Sequence, residues 1–305
     1  MTALSQDLFG TTFQNPVLLA SGTCGYGEEV AGVVDLDALG GLVIKGTTPE
    51  PREGSPAPRV TEFADGMMNS VGLANVGAAR CRSEKLPWLA EHLSRARVLV
   101  NVAGLGVDDF GGVVSVLDDG PGFLGYELNV SCPNVKYGGG LIGASAESLA
   151  HVVRSCRRLT SRPLLVKMPP NVPDLGELAH VAESEGADGL TLVNTMPGLL
   201  YDLDTRRPVL GAGSGGVSGP AILPVGVYAV RAARRRVAIP LIGAGGIRTA
   251  RDALQYVLAG ASLVQVGTAS FADPRSAERV LSGLDAHVRT SPGTFTTLIG
   301  SGEDA

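Results

Sequence analysis

The sequence predicts an α/β fold in which eight parallel strands close into a barrel inside a ring of helices. Three observations predict it. Short aliphatic runs alternate with helical patterns from end to end. Eight such runs fit into 305 residues, the length of one such barrel. Several runs are apolar without alternation, as parallel strands covered on both faces are. A doubly wound sheet is the alternative, but no G-x-G-x-x-G opens the first helix. The expected architecture is therefore a (β/α)8 TIM barrel, one domain over residues 1–305.

The strands are expected at residues 17–20, 42–45, 98–102, 123–128, 164–167, 189–193, 240–243 and 263–266. Helices separate them. Leu175, Leu178 and Ala182 share a face behind a capping box, Asp174-x-x-Glu177. Thr249 and Asp252 cap a helix that ends at Gly260. Asp273-Pro274 reads as an N-cap followed by proline at the first helical position, opening a helix that turns Val280, Leu281 and Leu284 inward. The connections 49–66 and 196–217 are long and irregular, and such loops in a compact domain are usually functional. Together with loop 131–144 they are expected over the barrel mouth.

Composition narrows the function. Glycine is abundant at 42 residues, hydrophobic residues make up 44% and aromatic residues only 5%, which suits buried aliphatic strands joined by glycine-rich loops. A net charge of −5, with no basic stripe interleaved with aromatics, argues against a nucleic-acid partner. The run Arg234 to Arg236 reads as the solvated end of a helix. No apolar run is long enough to span a bilayer, and residues 1–10 carry no signal-peptide pattern. Cys24, Cys81, Cys132 and Cys156 show no metal-ligand spacing, so reduced thiols and a cytoplasmic location are expected.

In a barrel the C-terminal ends of the strands line the site. Here those ends carry Ser21, Lys45, Asn101, Asn129, Lys167 and Asn194, then Gly243-Ala-Gly-Gly246 and Gly267-Thr268. Two lysines and three asparagines at strand ends are hard to explain as core. The glycines of the last two strands fall where barrels bind phosphate through backbone N–H groups, and Ser218-Gly219-Pro220 adds donors. His92, His151, His180 and His287 all fall within helical patterns among polar neighbours, which leaves no good histidine base. Glu127 lies within a strand and reads as part of an internal pair. Cys132, in the stretch Glu127-Leu-Asn-Val-Ser-Cys-Pro-Asn134, becomes the best proton-transfer or nucleophilic candidate, with Cys24 its rival. A phosphate-anchored cofactor, a lysine that stabilises its negative charge, amides for a small polar substrate and a thiol that removes a proton form one consistent assembly. Flavin mononucleotide (FMN) matches it.

The chain also resembles dihydroorotate dehydrogenases of class 1B, from about residue 4 to the last helix. The motifs that carry the resemblance are Asn15-Pro, Ala20-Ser-Gly-Thr23, Lys45-Gly-Thr-Thr48, Asn69-Ser-Val-Gly-Leu73, Asn129-Val-Ser-Cys-Pro-Asn134, Val166-Lys167, Val193-Asn-Thr195, Thr205-Arg-Arg-Pro-Val-Leu210, Gly215-Gly-Val-Ser-Gly-Pro220, Gly245-Gly-Ile247 and Val266-Gly-Thr268. The resemblance implies that Cys132 takes a proton from C5 of dihydroorotate while hydride passes from C6 to N5 of FMN. It implies a substrate pocket of Lys45, Asn69, Ser70, Val71, Gly72, Leu73, Asn129, Asn134, Asn194 and Thr195. It implies a flavin site of Ser21, Lys45, Gly46, Asn101, Asn129, Lys167, Val193, Gly219, Gly245, Gly246, Gly267 and Thr268. Class 2 relatives use serine as the base and carry an N-terminal membrane segment. Class 1A also uses cysteine, and the run Asn134-Val-Lys-Tyr-Gly-Gly139 is closer to class 1B. That class implies an iron–sulfur/FAD partner subunit that passes electrons to NAD+, and a homodimer within a heterotetramer. Val76 stands where relatives commonly have proline, Ala244 where a larger residue is common, and Leu141 to Ala144 depart from the usual run.

Competing readings are an FMN enzyme acting on another dihydropyrimidine, a Schiff-base aldolase or isomerase using Lys45 or Lys167, and a non-catalytic barrel. A dihydrouridine synthase would need RNA-binding charge that this acidic chain lacks.

Overall fold

The computed structural model describes residues 3–131, 136–137, 140–291 and 293–303. Eight parallel strands close into a barrel. They are β1 (Val17–Leu19), β2 (Gly41–Thr47), β3 (Arg97–Val102), β4 (Gly125–Asn129), β5 (Leu164–Met168), β6 (Gly189–Leu192), β7 (Leu241–Ala244) and β8 (Leu263–Val266). Each expected strand is present. The fourth starts two residues later than expected. Phe123 instead packs edge-on against Tyr126, and the Arg162 guanidinium sits 4.0 Å over its ring.

The helices that ring the barrel from β3 onward are α1 (Val107–Leu117), α2 (Ala146–Arg157), α3 (Leu175–Ser184), α4 (Leu223–Arg234), α5 (Ala250–Ala259) and α6 (Ser276–Thr290). Asp174 caps α3 by accepting from the Glu177 N–H. Thr249 and Asp252 close a reciprocal capping box on α5, which stops at Gly260. Helix α6 corrects the expectation at Asp273-Pro274. It begins at Ser276, because Asp273 ends the short helix Ala269–Ala272 and accepts the Arg275 and Ser276 N–H groups in a turn. Among the described residues, no helix is long and apolar enough to cross a membrane.

The barrel interior is layered by the two-residue period of its strands. At the bottom, Leu18, Val43, Leu99, Leu165, Ile242 and Leu263 pack over Phe13 as a fully buried apolar plug. Two residues further along the strands stand Asn101, Glu127, Lys167, Thr191 and Gln265, all buried and polar. The same strands send Val100, Leu128, Val166, Leu190 and Val264 outward into the larger core beneath the helices.

The long connections are less irregular than expected. Val60–Phe63, Gly66–Asn69, Met196–Gly198 and Gly215–Ser218 pair as a four-stranded antiparallel sheet. Val60-Thr-Glu-Phe63 alternates, and Ala64-Asp65 closes a two-residue hairpin into Gly66, a signal that the neighbouring prolines obscured.

Candidate functional site

A cavity of about 770 Å3 opens at the C-terminal ends of the strands, beneath that four-stranded sheet. Its volume lies within the ~300–1,000 Å3 typical of small-molecule and cofactor sites. It brings together almost all the residues selected from the sequence. Ser21, Lys45, Gly46, Asn101, Asn129, Lys167, Val193 and Asn194 line it from the strand ends. The segment Asn69-Ser-Val-Gly-Leu73 lines it from the sheet, as do Thr195 and Gly219, and Gly245, Gly246, Gly267 and Thr268 line it from the last two strands. Cys132 and Asn134 lie outside the described residues, as does part of loop 131–144.

Local sequence explains how the side chains arrive. Ladder pairing sets Lys167 beside Asn129 on one edge and Thr191 on the other, and sets Asn101 beside Glu127. A Cβ at Gly46 would meet the Asn101 Oδ1 at 2.9 Å, so glycine there admits the amide. Gly72 and Leu73 are successive left-handed residues, with φ of 73° and 58°. A Cβ at Gly72 would approach the Ser55 backbone nitrogen to 2.4 Å, so the close approach also requires glycine. The arm 52–59 fixes this turn through Ser55 N–H to Val71 O at 3.0 Å and Ser70 N–H to Arg59 O at 2.8 Å.

The amides form a run. Asn101 Nδ2 donates to Glu127 at 2.8 Å, Asn129 Nδ2 to Asn101 Oδ1 at 3.4 Å, and Asn194 Nδ2 to Asn129 Oδ1 at 3.1 Å. Ser131 Oγ donates to Asn129 Oδ1 at 3.1 Å and receives Asn194 Nδ2 at 2.7 Å, so the residue before Cys132 is fastened to the cavity wall. Lys167 Nζ lies 3.5 Å from Ser21 Oγ, 3.4 Å from Gln265 Oε1 and 3.7 Å from Glu127 Oε1. The internal pair expected of Glu127 is thus with Lys167. Lys45 contrasts with it, since its ammonium has no acceptor among the described residues and is available to an anionic ligand.

The rival thiol is removed by geometry. Cys24 is 1% exposed, with Sγ held against the carbonyls of Ala20 (3.7 Å) and Val43 (3.5 Å). Burial first, and then the charge of Glu29, push its thiol up to about 12. Cys81 and Cys156 are fully buried, and burial raises both thiols, to about 11 and about 12. None of the three supplies a thiolate near neutral pH.

The glycine turns of the last strands have a hidden support. Tyr256 of α5 is fully buried, and its hydroxyl is accepted by the Gly245 carbonyl at 2.7 Å, with the Ala244 carbonyl at 3.0 Å. It passes between two glycines: a Cβ at Gly243 would meet its ring at 2.4 Å and one at Gly226 its oxygen at 1.9 Å. The N–H groups of Gly246, Gly267 and Thr268 have no backbone partner among the described residues, and all three residues line the cavity. The Val76 N–H donates to Tyr26 Oη at 3.3 Å, a bond that the proline expected here from the resemblance could not make.

The sequence reading missed Thr191, Gln265 and Tyr256. The period of two could have found Gln265 and Thr191, since each is a polar residue at an inward position of an otherwise aliphatic strand. Tyr256 had no such signal, because its partners are backbone carbonyls of another element, which no side-chain pattern marks.

Comparison with known proteins follows the same lines. Residues 3–288 match the family model described as dihydroorotate dehydrogenase. The chain is 51% identical over 299 residues, 98% of each chain, to a Solibacter usitatus protein provisionally named dihydroorotate dehydrogenase A (fumarate). It is 44% identical over 285 residues, 93% of each chain, to the Cutibacterium acnes dihydroorotate dehydrogenase B (NAD(+)) catalytic subunit. To the Pelobacter propionicus protein of the same name it is 45% identical over 282 residues, 92% of each chain. The fold matches a crystal structure of an Eimeria tenella dihydroorotate dehydrogenase in complex with ferulenol. The TM-score is 0.82 at 24% identity, covering 98% of this chain and 88% of that one.

Proposed function

The chain belongs to the dihydroorotate dehydrogenase family of oxidoreductases, and on that premise we propose how its cavity carries out the oxidation. The observation that carries the proposal is the convergence of two lysines and a run of amides on one cavity at the strand ends.

Three features support FMN as the cofactor. The cavity has the volume for it. The N–H groups of Gly246, Gly267 and Thr268, which have no backbone partner among the described residues, suit its phosphate. The Lys167 ammonium suits negative charge at the other end. When bound, FMN supplies the acceptor, N5, for a hydride from C6 of dihydroorotate. The chain's own residues do the rest. Gly219, Gly245, Gly246, Gly267 and Thr268 hold the phosphate. Ser21, Gly46, Asn101, Lys167 and Val193 surround the ring system. Lys45 meets the substrate carboxylate. Asn69, Asn129, Asn134, Asn194 and Thr195, with the turn Ser70 to Leu73, hold and orient the substrate's ring amides. Cys132, as thiolate, takes the C5 proton as the C5–C6 double bond forms. Ser131, anchored to Asn129 and Asn194, holds the chain entering Cys132.

The relatives at 44–45% identity favour class 1B, with electrons passed to NAD+ through an iron–sulfur/FAD subunit and the chain paired within a heterotetramer. The relative at 51% identity favours a second reading of the acceptor, fumarate at the same flavin. The half-reactions separate the two. Purified protein loaded with FMN is reduced by dihydroorotate and then given fumarate or NAD+ alone. On the class 1B reading neither reoxidises it rapidly without the partner subunit. Rapid reoxidation by fumarate establishes the class 1A reading instead.

A further inference from the structure

Glu127 does not line the cavity, yet four groups of the site and its floor engage it directly. It is 0% exposed. Asn101 Nδ2 donates to its Oε1 at 2.8 Å, and Thr191 Oγ1 and Gln265 Nε2 each donate to its Oε2 at 2.7 Å. Lys167 Nζ stands 3.7 Å from Oε1. A carboxylate can only accept, so each neighbour must turn a donor toward it. The requirement propagates outward. Asn101, with its NH2 engaged, presents its Oδ1 to Asn129 Nδ2. Asn129 then presents its own Oδ1, which accepts from Asn194 Nδ2 and Ser131 Oγ. Asn194 presents Oδ1 to the Thr195 N–H at 2.8 Å. On the opposite side, Gln265 has its NH2 on Glu127 and presents Oε1 to Lys167. An isolated amide has two orientations of nearly equal shape. One buried carboxylate removes that choice along the whole run.

We propose that Glu127 is a positioning residue: it sets the donor–acceptor direction of the cavity amides and tethers the Lys167 ammonium without touching the ligand. The inference rests on the flavin reading above. Its consequence is that a ligand meeting Asn129 and Asn194 finds a fixed pattern of donors and acceptors, with no reorganisation at binding.

Glu127→Gln tests it, because the amide keeps the shape and replaces one acceptor by a donor. In the FMN-loaded enzyme, orotate affinity should fall about 10-fold or more, the loss of one to two oriented hydrogen bonds. The flavin midpoint potential should move positive, since a negative charge beside Lys167 is gone. Thr191→Val removes one donor and leaves the acceptor and the amide run; it should change orotate affinity less than about 3-fold, since the lost bond lies away from the ligand. A folded Glu127→Gln protein with wild-type potential and orotate affinity overturns the proposal. If that variant does not fold, Gln265→Met decides. It lets Lys167 draw toward Glu127 and away from the cavity, so the potential should move negative, and an unchanged potential overturns the tether. Wild-type protein that binds no flavin contradicts the function reading. The inference, which rests on that reading, falls with it.

Discussion

Two cysteines, Cys24 and Cys132, stand close in sequence to residues that line the cavity, and the proposal gives them opposite roles. Cys24 is sealed between β1 and β2, and its thiol is pushed up to about 12, chiefly by burial. It stays protonated and unreactive near neutral pH. Native protein treated with a thiol alkylating agent at pH 8 should therefore show Cys24 unmodified by mass spectrometry, and modification only after denaturation. Cys132 follows Ser131, whose hydroxyl is bonded to Asn129 and Asn194. Cys132→Ala should retain FMN and lose about 10²–10⁴-fold in the rate of flavin reduction by dihydroorotate, the contribution of a positioned base. Stopped-flow measurement of that half-reaction checks it, and a wild-type rate would remove Cys132 from the mechanism. At this scale the sequence was informative wherever polarity broke an aliphatic strand, as at Asn101, Asn129 and Lys167. It was silent on how those groups are oriented, because orientation depends on partners brought from other strands.

Among the elements, two short connections have separable duties at opposite ends of the barrel. At the N-terminal end, Asp37 of the 3-10 turn Leu36–Ala38 joins the entry to β2 with the entry to β3. Its carboxylate accepts the N–H groups of Ser94, Arg95 and Ala96 and the Ser94 hydroxyl. Partial burial opposes ionisation, but the Ala96, Arg95 and Ser94 N–H groups outweigh it and hold the carboxyl at about 2. A group depressed in the folded state adds stability above its unfolded value, near 3.9, and loses it as pH falls through the folded value. Asp37→Asn should thus destabilise by about 1–2 kcal/mol at pH 7. The gap to wild type should close between about pH 4 and pH 2, as denaturant titrations across that range would show. At the C-terminal end, Tyr256 pins the Gly245-Gly246 turn from behind. Tyr256→Phe removes only the hydroxyl and should weaken FMN about 5- to 10-fold while leaving riboflavin, which lacks the phosphate, unchanged. Equal loss for both ligands would show that the hydroxyl supports the fold rather than the phosphate turn. Caps at Asp174 and Thr249 were legible because their partners are three residues away. The start of α6 was not, because Asp273 serves the turn before it.

The whole molecule follows from the strand period. Eight aliphatic runs specify the barrel, and their C-terminal ends specify the cavity. The four-stranded sheet over the mouth was missed because it pairs segments from two loops more than a hundred residues apart, 60–69 and 196–218. The apolar plug of Leu18, Val43, Leu99, Leu165, Ile242 and Leu263 closes the barrel below the polar layer. Among the described residues the plug shuts the bottom of the barrel, and the cavity opens at the mouth, where Lys45 and the Asn69 to Leu73 turn stand. The proposal is therefore one about substrate: the Lys45 ammonium would hold a carboxylate and the amides a dihydropyrimidine ring, so that this cavity would oxidise dihydroorotate. Anaerobic mixing of the FMN-loaded protein with dihydroorotate tests it most directly. The account predicts rapid loss of the flavin's visible absorption with dihydroorotate and little with dihydrouracil, which lacks the carboxylate that Lys45 would hold. A flavin that stays oxidised with dihydroorotate but is reduced by dihydrouracil would contradict it.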